Sequence, residues 1–252
     1  MKKFRIFFIV IVLIVSFTAC TKNTEDSSII VVKATGDITE KLNQFRNILG
    51  IQLNSVPGAI GGRREINWDG VPADLVNKSL PSDFFNQVDI GSSQSRQRGF
   101  IYASVSGEFR VSNNGFNAVN PSSAGEFTTF SGDNAFANIS SSLWDAGFQV
   151  PGEAIAASVK GFGIVFSDVD LDNTNSLEFF NEDKSLGKFF VPAKTTGSNF
   201  SFLGVYFKNE KVTRVRVAHD GKLSDGQNDI SNGGTKDLVV MDDFLYDEPV
   251  KK

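Results

Sequence analysis

From about residue 64 onward the chain is a succession of short apolar segments. Each is closed within a few residues by Gly, Pro, Asn, Asp or Ser. That punctuation leaves little room for helices and predicts an all-β fold. The segments read as strands at Glu65–Trp68, Gly99–Val105, Glu108–Val111, Glu126–Phe130, Ala135–Ile139, Phe148–Val150, Ala154–Leu171, Ser176–Phe180, Lys188–Pro192, Asn199–Phe207, Val212–His219 and Asp237–Tyr246. The longest should divide at Gly161 or Gly163. So many strands without intervening helices predict a jelly-roll-like β-sandwich, and 24 phenylalanines against 3 tyrosines predict a Phe-packed interior.

Alternation orients several of these strands. Val215 and Val217 should face the core while Arg214 and Arg216 face solvent. Lys208 to Lys211 reads as a short polar turn, Asn181 to Gly187 as a hairpin link, and Asp220 to Gly234 as a long surface loop. One short helix precedes the strands. Asp37 and Glu40 have capping-box spacing, Ile38, Leu42, Phe45 and Leu49 share a face, and Gly50 offers a stop. This helix should lie against the sheet domain.

The N-terminus has a different character. Lys2, Lys3 and Arg5 precede an unbroken apolar run from Ile6 to Val15, and Ser16 to Ala19 lead to Cys20. The segment resembles a bacterial lipoprotein signal peptide, which implies cleavage after residue 19 and lipid on Cys20. The expected organisation is therefore a signal peptide over 1–19, a lipidated cysteine and flexible tether over 20–36, and a single sandwich domain over 37–249. Lipid on Cys20 would hold the protein at a membrane of the bacterial envelope, at the outer membrane or cell surface. Cys20 is the sole cysteine, so no intrachain disulfide is possible. Without residues 1–19, 22 basic residues face 29 acidic ones, a net charge of −7 that disfavours nucleic acid as a partner.

The segments GRREINWDGVP (62–72), GFGIVFSDVDL (161–171), SLEFF (176–180), FFVP (189–192), SFLGV (201–205), VTRVRV (212–217) and VVMDDFLYDEP (239–249) together resemble a family of exported bacterial β-rich proteins of uncharacterised function. Many of its members end in a PEP-CTERM-type sorting signal. The resemblance spans roughly Asp37 to Pro249 and implies one structural unit. No such sorting helix precedes Lys252, so the resemblance implies that lipid on Cys20 takes the place of that anchor.

Two places concentrate carboxylates. Read as a strand, Glu65, Asn67 and Asp69 line one face with oxygen-bearing groups, the ligand type that hard cations prefer, while Ile66 and Trp68 face the core. In the C-terminal strand, alternation places Val240, Asp242, Phe244 and Tyr246 on one face and Met241, Asp243 and Leu245 on the other. In jelly-roll binding modules the first and last strands often run side by side around a structural calcium. By that resemblance Asp242 or Asp243 meets Asn67 or Asp69 across one Ca2+. Arg63 and Arg64 stand beside the same acids and offer ion pairing instead. The second concentration, Asp168-Val169-Asp170-Leu171-Asp172-Asn173, begins like a calcium loop. Asn173 stands where the turn glycine belongs and Phe179 where a bidentate glutamate belongs, so a solvated strand end is the better reading.

Catalysis finds little support. His219, the one histidine, reads as a structural residue at a strand end, and no G-x-S-x-G elbow occurs. The expected function is a non-catalytic binding or adhesion module with carbohydrate as ligand, and the alternative is a structural envelope or matrix component. Trp144, in the loop-like stretch Ser140 to Asp145, is the candidate aromatic contact for a glycan.

Overall fold

The computed structural model describes residues 28–89, 91–103 and 107–252. The expected signal segment and Cys20 lie outside them. In chain order the elements are β1 (Ile29–Thr35), α1 (Thr39–Leu49), β2 (Arg63–Ile66), β3 (Phe100–Ala103), β4 (Phe109–Ser112), β5 (Ala135–Asn138), β6 (Leu143–Phe148), β7 (Ala157–Ser158), β8 (Gly161–Ser167), β9 (Ser176–Asn181), β10 (Lys184–Phe190), β11 (Phe200–Phe207), β12 (Arg214–Ala218), β13 (Val240–Asp247) and β14 (Val250–Lys251). Among the described residues no helix is long and apolar enough to cross a membrane.

Two antiparallel sheets form the expected sandwich. One runs β1-β11-β8-β13-β5-β4, with β2 also paired to β13, and the other runs β10-β9-β12-β6-β3. The main core lies between them and draws Phe100, Trp144, Phe179, Val215 and Val217 from one sheet and Phe136, Phe162, Phe166 and Phe244 from the other. Val215 and Val217 are buried and Arg214 and Arg216 half-buried, as alternation predicts. The run Gly161–Ser167, apolar up to its final serine, is buried along its length because it lies between β11 and β13, with α1 covering its outer side.

The helix confirms its predicted face. Ile38, Leu42, Phe45 and Leu49 all sink into a second apolar layer against Val165, Phe202 and Leu245. Phe45 rests on a directly opposed glycine pair, Gly163 and Gly204, where any added Cβ would come within 2.8 Å of the Phe45 ring. The Thr39 side chain and its amide, which donates to Asp37 Oδ1 at 3.0 Å, lower the Asp37 pKa, while the N-cap position itself falls on Ile38 and has no side-chain cap.

Four expectations need correction. Residues 29–35 are not tether: Ile29 to Thr35 pair with Phe207 to Ser201, so the domain starts at β1 rather than at Asp37. Glu126–Phe130 is loop, held by side-chain contacts described below. The second half of Ser140 to Asp145 is not loop, because strand β6 begins at Leu143 and only the serines precede it. The Lys208–Lys211 turn joins no hairpin, because β11 and β12 belong to different sheets.

Strand β2 carries an unexpected buried charge. Arg64 is fully buried beside Tyr246, and its Nε and Nη2 donate to the two carboxylate oxygens of Glu248, each at 2.7 Å. Its Nη2 also donates to the Val56 carbonyl, and Asn54 Nδ2 donates to Glu248. A guanidinium placed there needs this whole set of acceptors, since an unpaired buried charge is strongly destabilising. Glu248→Ala is therefore expected to lower the unfolding free energy by about 3–5 kcal/mol, measurable by urea denaturation.

Candidate functional site

Strand β13 sets the geometry of the predicted acidic site. Met241 pairs with Phe166, but Phe244 pairs with Ile164, so β13 spends three steps where β8 spends two. Asp242 and Asp243 occupy this β-bulge. The bulge overturns the predicted alternation: Met241, Phe244 and Tyr246 all reach the main core, while Leu245 joins the layer under the helix.

The same point divides the other edge of β13. β2 pairs with Phe244 to Asp247, and β5 pairs with Met241. Trp68 fills the gap between these partners in a left-handed conformation, φ 68°. Its ring stacks on Phe136 at 3.9 Å, and its Nε1 donates to the Asp242 carbonyl that the bulge turns away from the ladder. The strand thus ends at Ile66, and Asn67 and Asp69 do not continue its face.

The five predicted metal ligands consequently do other work. Glu65 accepts from Arg46 Nη2 at 2.8 Å and Arg63 Nε at 2.6 Å, and these guanidinium contacts lower its pKa despite the opposing effect of burial. Arg46, from the helix, also approaches Asp243 at 3.6 Å. So ion pairing does neutralise part of the acidic row, with Arg46 in the place expected of Arg64. Asn67 is exposed and donates to Asp69. Asp69 Oδ1 accepts from the successive amides of Asp133 and Asn134. Asp242 Oδ2 accepts from those of Phe130 and Ser131, and Asp243 accepts from Ser131 Oγ. Among the described residues, the acids that come together closely enough to share one ion are instead Glu126, Asp168, Asp170 and Asp229.

What Asp69, Asp242 and Asp243 hold is residues 130–134, next to Thr128, whose amide donates to Ser167 Oγ. Gly132 must approach Asp69 so closely that a Cβ would stand 1.5 Å from Asp69 Oδ2, and its φ of 61° suits glycine. This pinned segment forms one wall of a cleft of about 500 Å3 lined by Asn113, Asn114, Phe127, Thr128, Thr129 and Asp133. The sequence offered no direct sign of it, because the wall comes from a stretch read as strand.

Two further predicted residues change role. Trp144 is 1% exposed, packed among Phe109, Phe136 and Phe244, because in strand β6 it points inward with Ala146 and Phe148. It offers no platform to a glycan. Tyr102, Tyr246 and Trp68 are buried too, which leaves Tyr206 half-buried. His219 is buried, with Nδ1 2.8 Å from the Gly221 carbonyl, Nε2 without a hydrogen-bond partner and its pKa lowered by burial.

The Asp168 run is not a solvated strand end. Asp168 is 1% exposed, with φ 72°, and Lys194 Nζ reaches both Asp168 and Asp170, the latter at 2.9 Å. Asp229, buried in the long loop after β12, accepts from the amides of Leu238 and Ser231. Glu126 accepts from Ser231 Oγ at 2.8 Å. Burial, then the neighbouring Asp229, raises the Asp170 pKa; burial opposes ionisation of Asp229 as well, but its hydrogen bonds hold its pKa down.

Burial, followed by the adjacent Asp243 carboxylate, raises the Asp242 pKa. The folded chain therefore keeps a proton that the unfolded chain releases. Stability from this group is full below the ordinary carboxylate pKa of about 4 and is lost as pH rises through the raised value. Asp242→Asn keeps an oxygen for the Phe130 and Ser131 amides. It is expected to reduce the fall in melting temperature between about pH 5 and pH 8, checked by thermal melts across that range.

No family model matches the chain, and neither a curated protein nor a solved structure matches it.

Proposed function

We propose that the protein is a surface-anchored, non-catalytic binding module of a bacterial envelope, held by lipid on Cys20, with carbohydrate as the favoured ligand. The observation that supports this reading most is the position of the cleft relative to the start of β1. The Ser28 carbonyl accepts from the Lys208 amide, level with the start of β8 at Gly161. The cleft wall meets the other end of β8, where the Thr128 amide donates to Ser167 Oγ. Six strand steps separate these levels, roughly 20 Å. Cys20 lies eight positions before Ser28, so an anchor there would join the domain at the end opposite the cleft.

The lining favours a hydroxyl-rich ligand. The cleft falls within the range of about 300–1,000 Å3 common for small-molecule sites. Asn113, Asn114, Thr128, Thr129 and Asp133 supply amide, hydroxyl and carboxylate groups suited to sugar hydroxyls. Asp133 is the single carboxylate among the lining residues, whereas glycoside hydrolysis generally uses two. The burial of Trp144 favours a second reading, a structural envelope component without a small ligand, because it removes the aromatic platform that glycan modules commonly use.

A glycan-array screen of residues 21–252 separates the two. The binding reading expects a defined set of glycans, with affinity at least tenfold weaker in the Asn113→Ala/Asp133→Ala double variant and an unchanged melting temperature. A blank array with and without calcium would leave the structural reading.

A further inference from the structure

Beside the cleft, three loops bring four carboxylates to one point. Glu126 comes from the segment between β4 and β5, Asp168 and Asp170 from the end of β8, and Asp229 from the loop between β12 and β13. One oxygen from each lies within 4.8 Å of the others. We propose that Glu126, Asp168, Asp170 and Asp229 bind one hard divalent cation, with Ca2+ the best fit.

Three observations carry the assignment. The first is spacing: calcium binds oxygen at about 2.3–2.6 Å, so ligands on opposite sides of one ion stand about 4.8 Å apart. The second is an unmet demand inside the cluster. Asp168 is 1% exposed, and its Oδ2 has no hydrogen-bond partner; Asp170 Oδ2 is likewise buried without one. A buried carboxylate oxygen without a donor or cation is costly. The third is charge. Lys194 is the ammonium that reaches Asp168 and Asp170, and it takes one oxygen of each. One ammonium against four carboxylates leaves negative charge uncompensated, and a dication is suited to the remainder.

The ligand chemistry narrows the ion. All four donors are carboxylate oxygens, which suits calcium, magnesium or manganese rather than zinc or copper, which favour nitrogen and sulfur. Calcium tolerates irregular cages built largely from protein, whereas magnesium keeps most of its water. A cation here would tie Glu126 to the ends of β8 and to the loop before β13. Because Glu126 adjoins Phe127 and Thr128, it would also steady the cleft wall, whatever that cleft binds.

The test uses the chain freed of metal with a chelator and then titrated with CaCl2, followed by calorimetry and thermal melting. Binding of one Ca2+ per chain is expected, with a melting temperature raised by several degrees. Asp168→Asn should weaken that binding at least tenfold. Should that variant fail to fold, Lys194→Gln retains all four carboxylates and is expected to bind Ca2+ several-fold more tightly than the parent. No heat and no thermal shift in either the parent or Lys194→Gln would overturn the proposal, leaving Lys194 as the site's sole counter-ion. Calcium binding undiminished by Asp168→Asn would overturn it equally, by placing the ion elsewhere.

Discussion

The bulge at Asp242 and Asp243 governs how the two layers of this sandwich meet. Strand β13 is bordered by β8 on one side and by β2 and then β5 on the other. A regular strand would put Met241 and Phe244 on opposite faces. The extra residue lets both enter the core, where Phe244 packs edge-on against Trp68 and Phe136. It also frees the Asp242 carbonyl for the Trp68 indole and turns two carboxyl groups towards Phe130 and Ser131. The same local irregularity thus seats the central aromatic cluster and positions the cleft wall.

A device recurs around this frame. Asp69 accepts from the amides of residues 133 and 134, Asp242 from 130 and 131, Asp247 from 160 and 161, and Asp237 from 170 and 171. In each case one aspartate, distant in sequence, clasps two successive backbone N–H groups at a strand end or turn. A hydrogen bond of this kind contributes about 0.5–1.5 kcal/mol, and more where the aspartate is ionised, and two successive donors also fix the local backbone. With no intrachain disulfide possible, such clasps secure long connections that a small apolar contact would leave loose. Four of the 29 acidic residues act in this way, and read from sequence alone they look like part of a solvated or metal-binding surface.

That difference marks what the chain discloses by itself. Patterns spanning one element were legible: the Val215/Arg216 alternation and the helix face ending at Leu49 follow from local periodicity. Interactions between distant segments were not. Arg64 and Glu248 are separated by 184 positions, yet continuing the inward face of Ile66 back by two residues would already have pointed Arg64 into the core. β1 was missed because Ile-Ile-Val-Val beside a polar stretch has no alternation to read. Trp144 was misplaced because three serines precede a strand that starts at Leu143. The Asp168 cluster showed two of its four members in sequence; the other two arrive on separate loops.

The two carboxylate groupings also differ in what would satisfy them. At the bulge, Asp242 leaves its Oδ1 without a partner, but most of the acceptor capacity around it is met by the Phe130 and Ser131 amides, Ser131 Oγ and Arg46. One proton on the Asp242–Asp243 pair removes the remaining conflict, which is why burial raises the Asp242 pKa instead of expelling the side chain. The Asp168 grouping is larger and has fewer donors aimed into its centre. Backbone and side-chain donors engage Asp229 and Glu126 from the rim, whereas Asp168 and Asp170 depend on Lys194 and each keep a buried oxygen unpartnered. One proton neutralises a pair of acids but leaves four acids and one ammonium with surplus negative charge. The physical distinction between a protonated clasp and a cation site is therefore the number of inward-facing carboxylates set against the donors that reach them.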